Sequence, residues 1–332
     1  MLGVGEGDEV IRLTRHCKQG KPAKHTLYLP LTVKRTFWMT ITTNRFNKKE
    51  VLMLWSVMIA VLFGAVLHAI WNGLVKSGPD RFLDTGGLLL GASIVSAIAI
   101  PFLQKPAAVS WPFIAISTVL HVVYFGLIAA SYQHGDMSLV YPITRGTAPA
   151  ISASLAMVAL HEAPSTIGLA GIALISSGVV TLAFARAARS SAHRGPVGLA
   201  LLNAVLIAAY TLADGQGVRL SGSPFCYTCW GFLLWAVCFN TILAAVRGRQ
   251  AAVGMKSEWK RSIVGGSCSL ASYAITLWAM MSTKIALVAA LRETSVLFGM
   301  IIANFALKER ITPLRVAAAM FVVAGAILLK IN

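Results

Sequence analysis

Arg145 and Arg292 each stand as the eighth residue of a long apolar stretch, 138–160 and 285–307. A charged side chain inside such a stretch costs about 2.5–3.5 kcal/mol on membrane-insertion scales, so its presence marks function or a paired structural role. Seven residues of helix at 1.5 Å each place both arginines about 10 Å below an interface, approaching the midplane. A guanidinium carries a fork of donors that matches two oxygens of a carboxylate or phosphate. One such arginine could equally snorkel to headgroups or bond a backbone carbonyl. Two at matching depths point to an anion site. Glu293 follows Arg292 directly, about 100° away around a helix, so the two cannot share a face. It can pair with Arg145, carry a coupling proton or form a purely structural ion pair. His68, Trp71 and Asn72, spaced i, i+3, i+4, share one face of an earlier helix and can offer a flat wall with a hydrogen bond, or simply satisfy neighbouring backbone. Tyr141 and Pro142 precede Arg145, and Pro142 and Pro149 can kink that helix and shape a cavity. Tyr132, Tyr273 and Trp278 can add aromatic wall or anchor helices. Asp214, near the end of an apolar stretch at 196–215, reads as a loop-proximal cap or charge.

The elements that must position these residues follow from composition. Of 332 residues 57% are hydrophobic and only 12% charged. Mean hydropathy is +0.72. A soluble domain carries about 25% charged residues, so this chain reads as an integral, multi-pass membrane protein and not as a soluble enzyme or a nucleic-acid-binding domain. The 29 Lys and Arg against 12 Asp and Glu fall mainly in short loops and in the first 50 residues, where they suit lipid headgroups. Five cysteines form no disulfide framework, and Cys226 and Cys229 lack a second pair to complete a metal site. No Walker-type loop is present, so no ATP-driven cycle and no cofactor are expected. Apolar stretches of about 20 residues, long enough to cross about 30 Å of hydrocarbon, predict ten spans: 52–74, 83–103, 111–132, 138–160, 165–185, 196–215, 225–246, 262–281, 285–307 and 312–331. Residues 1–50 hold ten basic residues and no spanning run, which predicts a disordered basic arm, or a true start at Met39 or Met53. Removing them should leave folding and activity intact.

The chain also repeats itself. Residues 137–183 align without a gap on 284–330 at a constant offset of 147, so Arg145-Gly-Thr147 falls on Arg292-Glu-Thr294 and Gly178 on Gly325. Ala65-Val66-Leu67 and Trp71 fall on Ala204-Val205-Leu206 and Tyr210. Two five-helix halves, 51–190 and 191–332, are expected after the arm. Five being odd, the second half should lie inverted in the membrane, a plan recurrent in secondary transporters.

Ala-Leu-His-Glu-Ala-Pro at 159–164 with Gly168, Gly171 and Gly178, and Ala-Leu-Lys-Glu-Arg at 306–310 with Gly325, resemble the EamA-type drug/metabolite transporter superfamily over about 52–331. His68-Ala-Ile-Trp71-Asn72 and Leu291-Arg292-Glu293-Thr294-Ser295 are similar to its phosphonate-utilisation-associated branch. The resemblance implies ten helices and both termini in the cytoplasm, in the inner membrane if the source is bacterial. Loop charges alone divide on orientation. The expected function is alternating-access transport of a small anionic metabolite, such as an organic phosphate, phosphonate or amino-acid-like compound. The binding residues would be Arg145, Arg292, Trp71, Asn72, His68, Tyr141, Tyr210 and Glu293. The alternatives are a proton-coupled exporter of cationic or apolar compounds using Glu293 and, from another class, a membrane-embedded enzyme. The partners expected are the substrate and the bilayer, with the chain a monomer or homodimer and no nucleic acid involved.

Overall fold

The computed structural model describes residues 48–78, 80–134, 137–187, 195–248, 258–307 and 312–331. Residues 1–47 of the arm therefore lie outside the described residues, as do the loops at 188–194, 249–257 and 308–311. The chain divides into two units, Met1–Met53 and Leu54–Asn332; the architecture below is that of the second. It is built of α-helices, with no strand among the described residues: α1 Lys48–Lys76, α2 Arg81–Ala99, α3 Trp111–His134, α4 Met137–Ala159, α5 Thr166–Ala187, α6 Gly195–Ser221, α7 Pro224–Arg247, α8 Trp259–Ser282, α9 Ile285–Arg292, α10 Ser295–Leu307 and α11 Pro313–Ile331.

Among the described residues, eight segments are long and apolar enough to cross a membrane, and Thr166–Thr181, within the expected fifth span, is a shorter apolar helix. Local chemistry sets the ends. Asp80 caps α2, its Oδ1 accepting from the N–H groups of Phe82 (2.9 Å) and Leu83 (3.3 Å). Pro224 opens α7, where its missing N–H costs nothing, and Gly248 closes it at φ +56. Within the helices, hydroxyls that lipid could not satisfy bond back one turn, as Thr118 does to Ile114 O and Thr276 to Ser272 O. The outer surface is apolar: Ile59, Phe63, Ile98, Val119 and Met320 are exposed, as lipid contact requires.

Two expectations about helices need correction. The ninth span is not continuous: it breaks at Glu293-Thr294 between α9 and α10. Backbone bonds there tighten to i→i−3, from Glu293 N to Ala290 O and Thr294 N to Leu291 O, and Thr294 Oγ1 also donates to Leu291 O. The sixth helix does not stop near 215. α6 continues to Ser221, and at Gly215 and Gly217 the missing side chains admit Ile285, and Tyr227 with Phe113. Pro142 and Pro149 leave α4 assigned as one helix.

Small residues let helices touch. α5 packs on α11 and α2 on both α7 and α8. A Cβ on Gly171 would meet Gly325 O at 2.9 Å, and one on Gly178 would meet Ala318 O at 2.8 Å. At the α2–α8 crossing, a Cβ on Gly266 would stand 2.6 Å from Leu88 O, and one on Gly91 2.9 Å from Ile263 N. These obstacles are backbone and cannot swing aside. Gly266→Ala and Gly91→Ala are therefore expected to destabilise the protein by about 1–3 kcal/mol, the usual cost of overpacking. The check is thermal unfolding in detergent, with Gly198→Ala, where a Cβ meets nothing within 4 Å, unchanged.

Candidate functional site

The break after α9 brings its last residue, Arg292, beside a cavity of about 80 Å³. His68, Trp71 and Asn72 of α1, Arg145 of α4, Tyr210 of α6 and Arg292 all line it. Glu293 lies just behind, 2% exposed, with Oε2 3.1 Å from Arg145 Nε. Tyr141 and Tyr132 fall outside the described side chains. Tyr273 of α8 lines the cavity, whereas Trp278 packs into the apolar core around Leu277 and Met280. Val75 and Thr85, flanking the α1–α2 connection, line the outer end.

The two arginines, equivalent in sequence, are not equivalent in environment. Arg145 is 4% exposed, ion-paired to Glu293, and its Nη2 donates to His68 Nε2 at 3.0 Å. That bond fixes His68 as acceptor at Nε2. The His68 ring stands edge-on to Trp71 at 4.9 Å, and Asn72 Nδ2 donates to His68 O, so the α1 trio is held to itself and to α4. Arg292 is equally buried, at 4%. Its Nε has no hydrogen-bond partner, and it forms no ion pair among the described residues. Its contact is the face of Tyr273, 5.9 Å from guanidinium carbon to ring centroid. One guanidinium is thus spent on a carboxylate, and the other faces the cavity with capacity to spare.

Sequence reasoning missed the rest of the wall. His121 of α3 is stacked between Trp235 of α7, at 3.7 Å, and Tyr210, at 4.0 Å. Phe232 and Phe125 complete the aromatic side. Each lies in an apolar run where helical periodicity cannot tell cavity from core. Asp214 was expected at a loop edge. It is 1% exposed inside α6, accepting from Ser117 Oγ (2.8 Å), Tyr227 Oη (2.9 Å) and Tyr273 Oη (2.6 Å). The correction follows from the longer α6.

The end of the molecule away from Val75 and Thr85 is fastened. Glu162, in the α4–α5 connection, ion-pairs with Arg219 near the end of α6, and its other oxygen accepts from Ile285 N at 3.3 Å. Arg219 also donates to Met280 O (2.8 Å) and Thr283 O (2.9 Å) at the end of α8, and Lys284 Nζ to Ala163 O (2.7 Å).

The model of the EamA-like transporter family matches residues 195–331. Over these residues the chain is similar to EamA-like transporters. The apolar helices among the described residues, together with this match, support an integral, multi-pass membrane protein. Among the solved structures that match, one described as "Crystal structure of protein" is 14% identical, covers 83% of this chain and 96% of its own, and has a TM-score of 0.62. At that identity the likeness concerns the fold alone. No curated protein matches.

Proposed function

We propose that this EamA-like protein is an alternating-access carrier of a small anion, built as two inverted five-helix halves. The observation that carries the anion reading is Arg292: a buried guanidinium facing the cavity with no carboxylate paired to it among the described residues. A buried charge left alone is costly, and an anion entering the cavity would relieve that cost. The reading of Glu293 as the cation site of an exporter is weakened by its pairing with Arg145.

Symmetric contacts support the inverted halves. Under the offset of 147, Gly171 corresponds to Ala318 and Gly178 to Gly325. The contacts are Gly171 with Gly325 and Gly178 with Ala318, each the image of the other under exchange of halves, the signature of a twofold crossing. Discontinuity in the ninth span at the level of the arginines also suits a carrier, since broken helices line transporter sites. In this arrangement the cavity reaches toward the α1–α2 connection, and both ends carry fastenings, Asp80–Arg247 and Arg261–Ser77 at one and Glu162–Arg219 at the other.

The experiment is binding to purified protein by isothermal calorimetry, with inorganic phosphate, methylphosphonate, acetate and glycine set against tetraethylammonium and benzyl alcohol. Binding confined to the anions is expected. Binding of tetraethylammonium alone would replace this reading with the cation exporter.

A further inference from the structure

We propose that Asp214 is a proton-binding site of the transport cycle, served from the cavity through His121 and Ser117. This deepens the anion-carrier reading and rests on it for the coupling described below, though not for the existence of the proton site.

Among the described acids of the helical unit, Glu293, Glu162 and Asp80 are spent on arginines, Glu258 lies beside Arg261, and Asp84 stands in the first turn of α2. Asp214 touches no cation: its three partners are hydroxyls of Ser117, Tyr227 and Tyr273. Of the elements packed on α6 around it, α3 contributes Ser117 and His121, α7 Tyr227 and α8 Tyr273. α9 contributes Arg292, which makes no ion pair with it among the described residues, lies against the face of Tyr273 and acts on it by charge at a distance. α4 meets α6 through Thr144, bonded to Ala200 O, and keeps its Arg145 on the Glu293 side. A carboxylate at membrane depth held by neutral groups alone suits a group that is charged for only part of a cycle.

The partners accommodate both states. A serine hydroxyl has one proton to give and two lone pairs, so Ser117 can donate to the carboxylate or turn to accept from the acid. The direction of the existing line is set by Ser117 O, which can only accept: His121 Nδ1 donates to it at 2.9 Å and lies 3.1 Å from Ser117 Oγ. Ser117 Oγ in turn donates to Asp214 Oδ2 at 2.8 Å. His121 lines the cavity. A proton taken up at Nε2 of this imidazole releases the Nδ1 proton to Ser117 Oγ, whose own proton passes to Asp214. One proton enters, one carboxylate is neutralised, and serine and imidazole end neutral.

Tyr273 joins this site to the anion site. Its hydroxyl bonds Asp214 and its ring face lies against Arg292. Neutralising Asp214 removes a negative charge from the far side of that ring and makes the cavity one unit more positive. Proton and anion therefore favour each other's binding, and linkage makes the effect reciprocal. The coupling is symport of proton with anion.

The test uses full-length protein in liposomes on a solid-supported membrane, stepped in pH with no substrate present. Wild type should give a charge displacement that Asp214→Asn reduces to the level of empty liposomes. Asp84→Asn, an acid on α2 outside this network, should keep it. Ser117→Ala, a small change that spares the carboxylate, should slow the displacement. Three results would each overturn the proposal: a wild-type displacement in monodisperse Asp214→Asn, an unaltered rate in Ser117→Ala, or a displacement driven by a sodium step at constant pH and not by the pH step. Because no anion is added, these failures are separate from failure of anion binding, which the calorimetry reads independently.

Discussion

Arg292→Gln should weaken binding of an anion such as methylphosphonate by roughly 10- to 100-fold, while the protein stays monodisperse. A hydrogen bond to a charged group contributes about 1.5–3 kcal/mol, and 1.4 kcal/mol is a factor of about ten in affinity. The variant should fold because Arg292 contributes no ion pair among the described residues and leaves no carboxylate stranded when removed. Arg292→Lys keeps the charge and loses the planar fork, so it should fall between the two. Wild-type affinity in the Gln variant, measured by calorimetry on purified protein, would remove the anion site.

Arg145 should behave oppositely. Arg145→Met leaves Glu293, 2% exposed, without its cation and His68 without its donor. Breaking a buried pair from one side costs about 3–5 kcal/mol, whereas replacing both members by uncharged groups is often neutral. Arg145→Met and Glu293→Gln alone should therefore express poorly or melt early, and the double variant should recover most of the loss. Thermal unfolding in detergent gives the double-mutant cycle directly. Purely additive losses would mean that the 3.1 Å contact contributes nothing. Recovery in the double variant would separate the two arginines, indistinguishable by repeat alignment, as binding residue and structural residue.

Helix content and membrane character were readable because each is a property of one sequence window. The difference between the arginines was not. It depends on which of them Glu293 turns toward, and that is decided by the break at 293–294. No proline or glycine marks the break; it is made by Thr294 bonding back to Leu291. Asp214 was misplaced for the opposite reason. Gly215 and Gly217 look like a helix end, and only the presence of Ile285 and Tyr227 against them shows why glycine is needed inside α6. The aromatic wall was hidden because His121, Tyr210 and Trp235 come from three helices, and their meeting is set by packing between helices, which no local spacing encodes.

The Glu162–Arg219 clasp has side chains 21% and 24% exposed, whereas the Arg145–Glu293 pair is almost wholly sealed. Water reaches the first, so holding it shut is worth only the modest free energy of an accessible pair, on the order of 0–1 kcal/mol before its backbone bonds are added. Prising apart the second would strand charges in a dry interior. Motion between the halves should therefore turn about the deep pair and the glycine crossing of α5 with α11, leaving both intact, while the rim swings. Displacement about a fulcrum grows with distance from it, so a few degrees at the centre become an open doorway at the edge. A water-accessible fastening thus sits where the leverage is greatest.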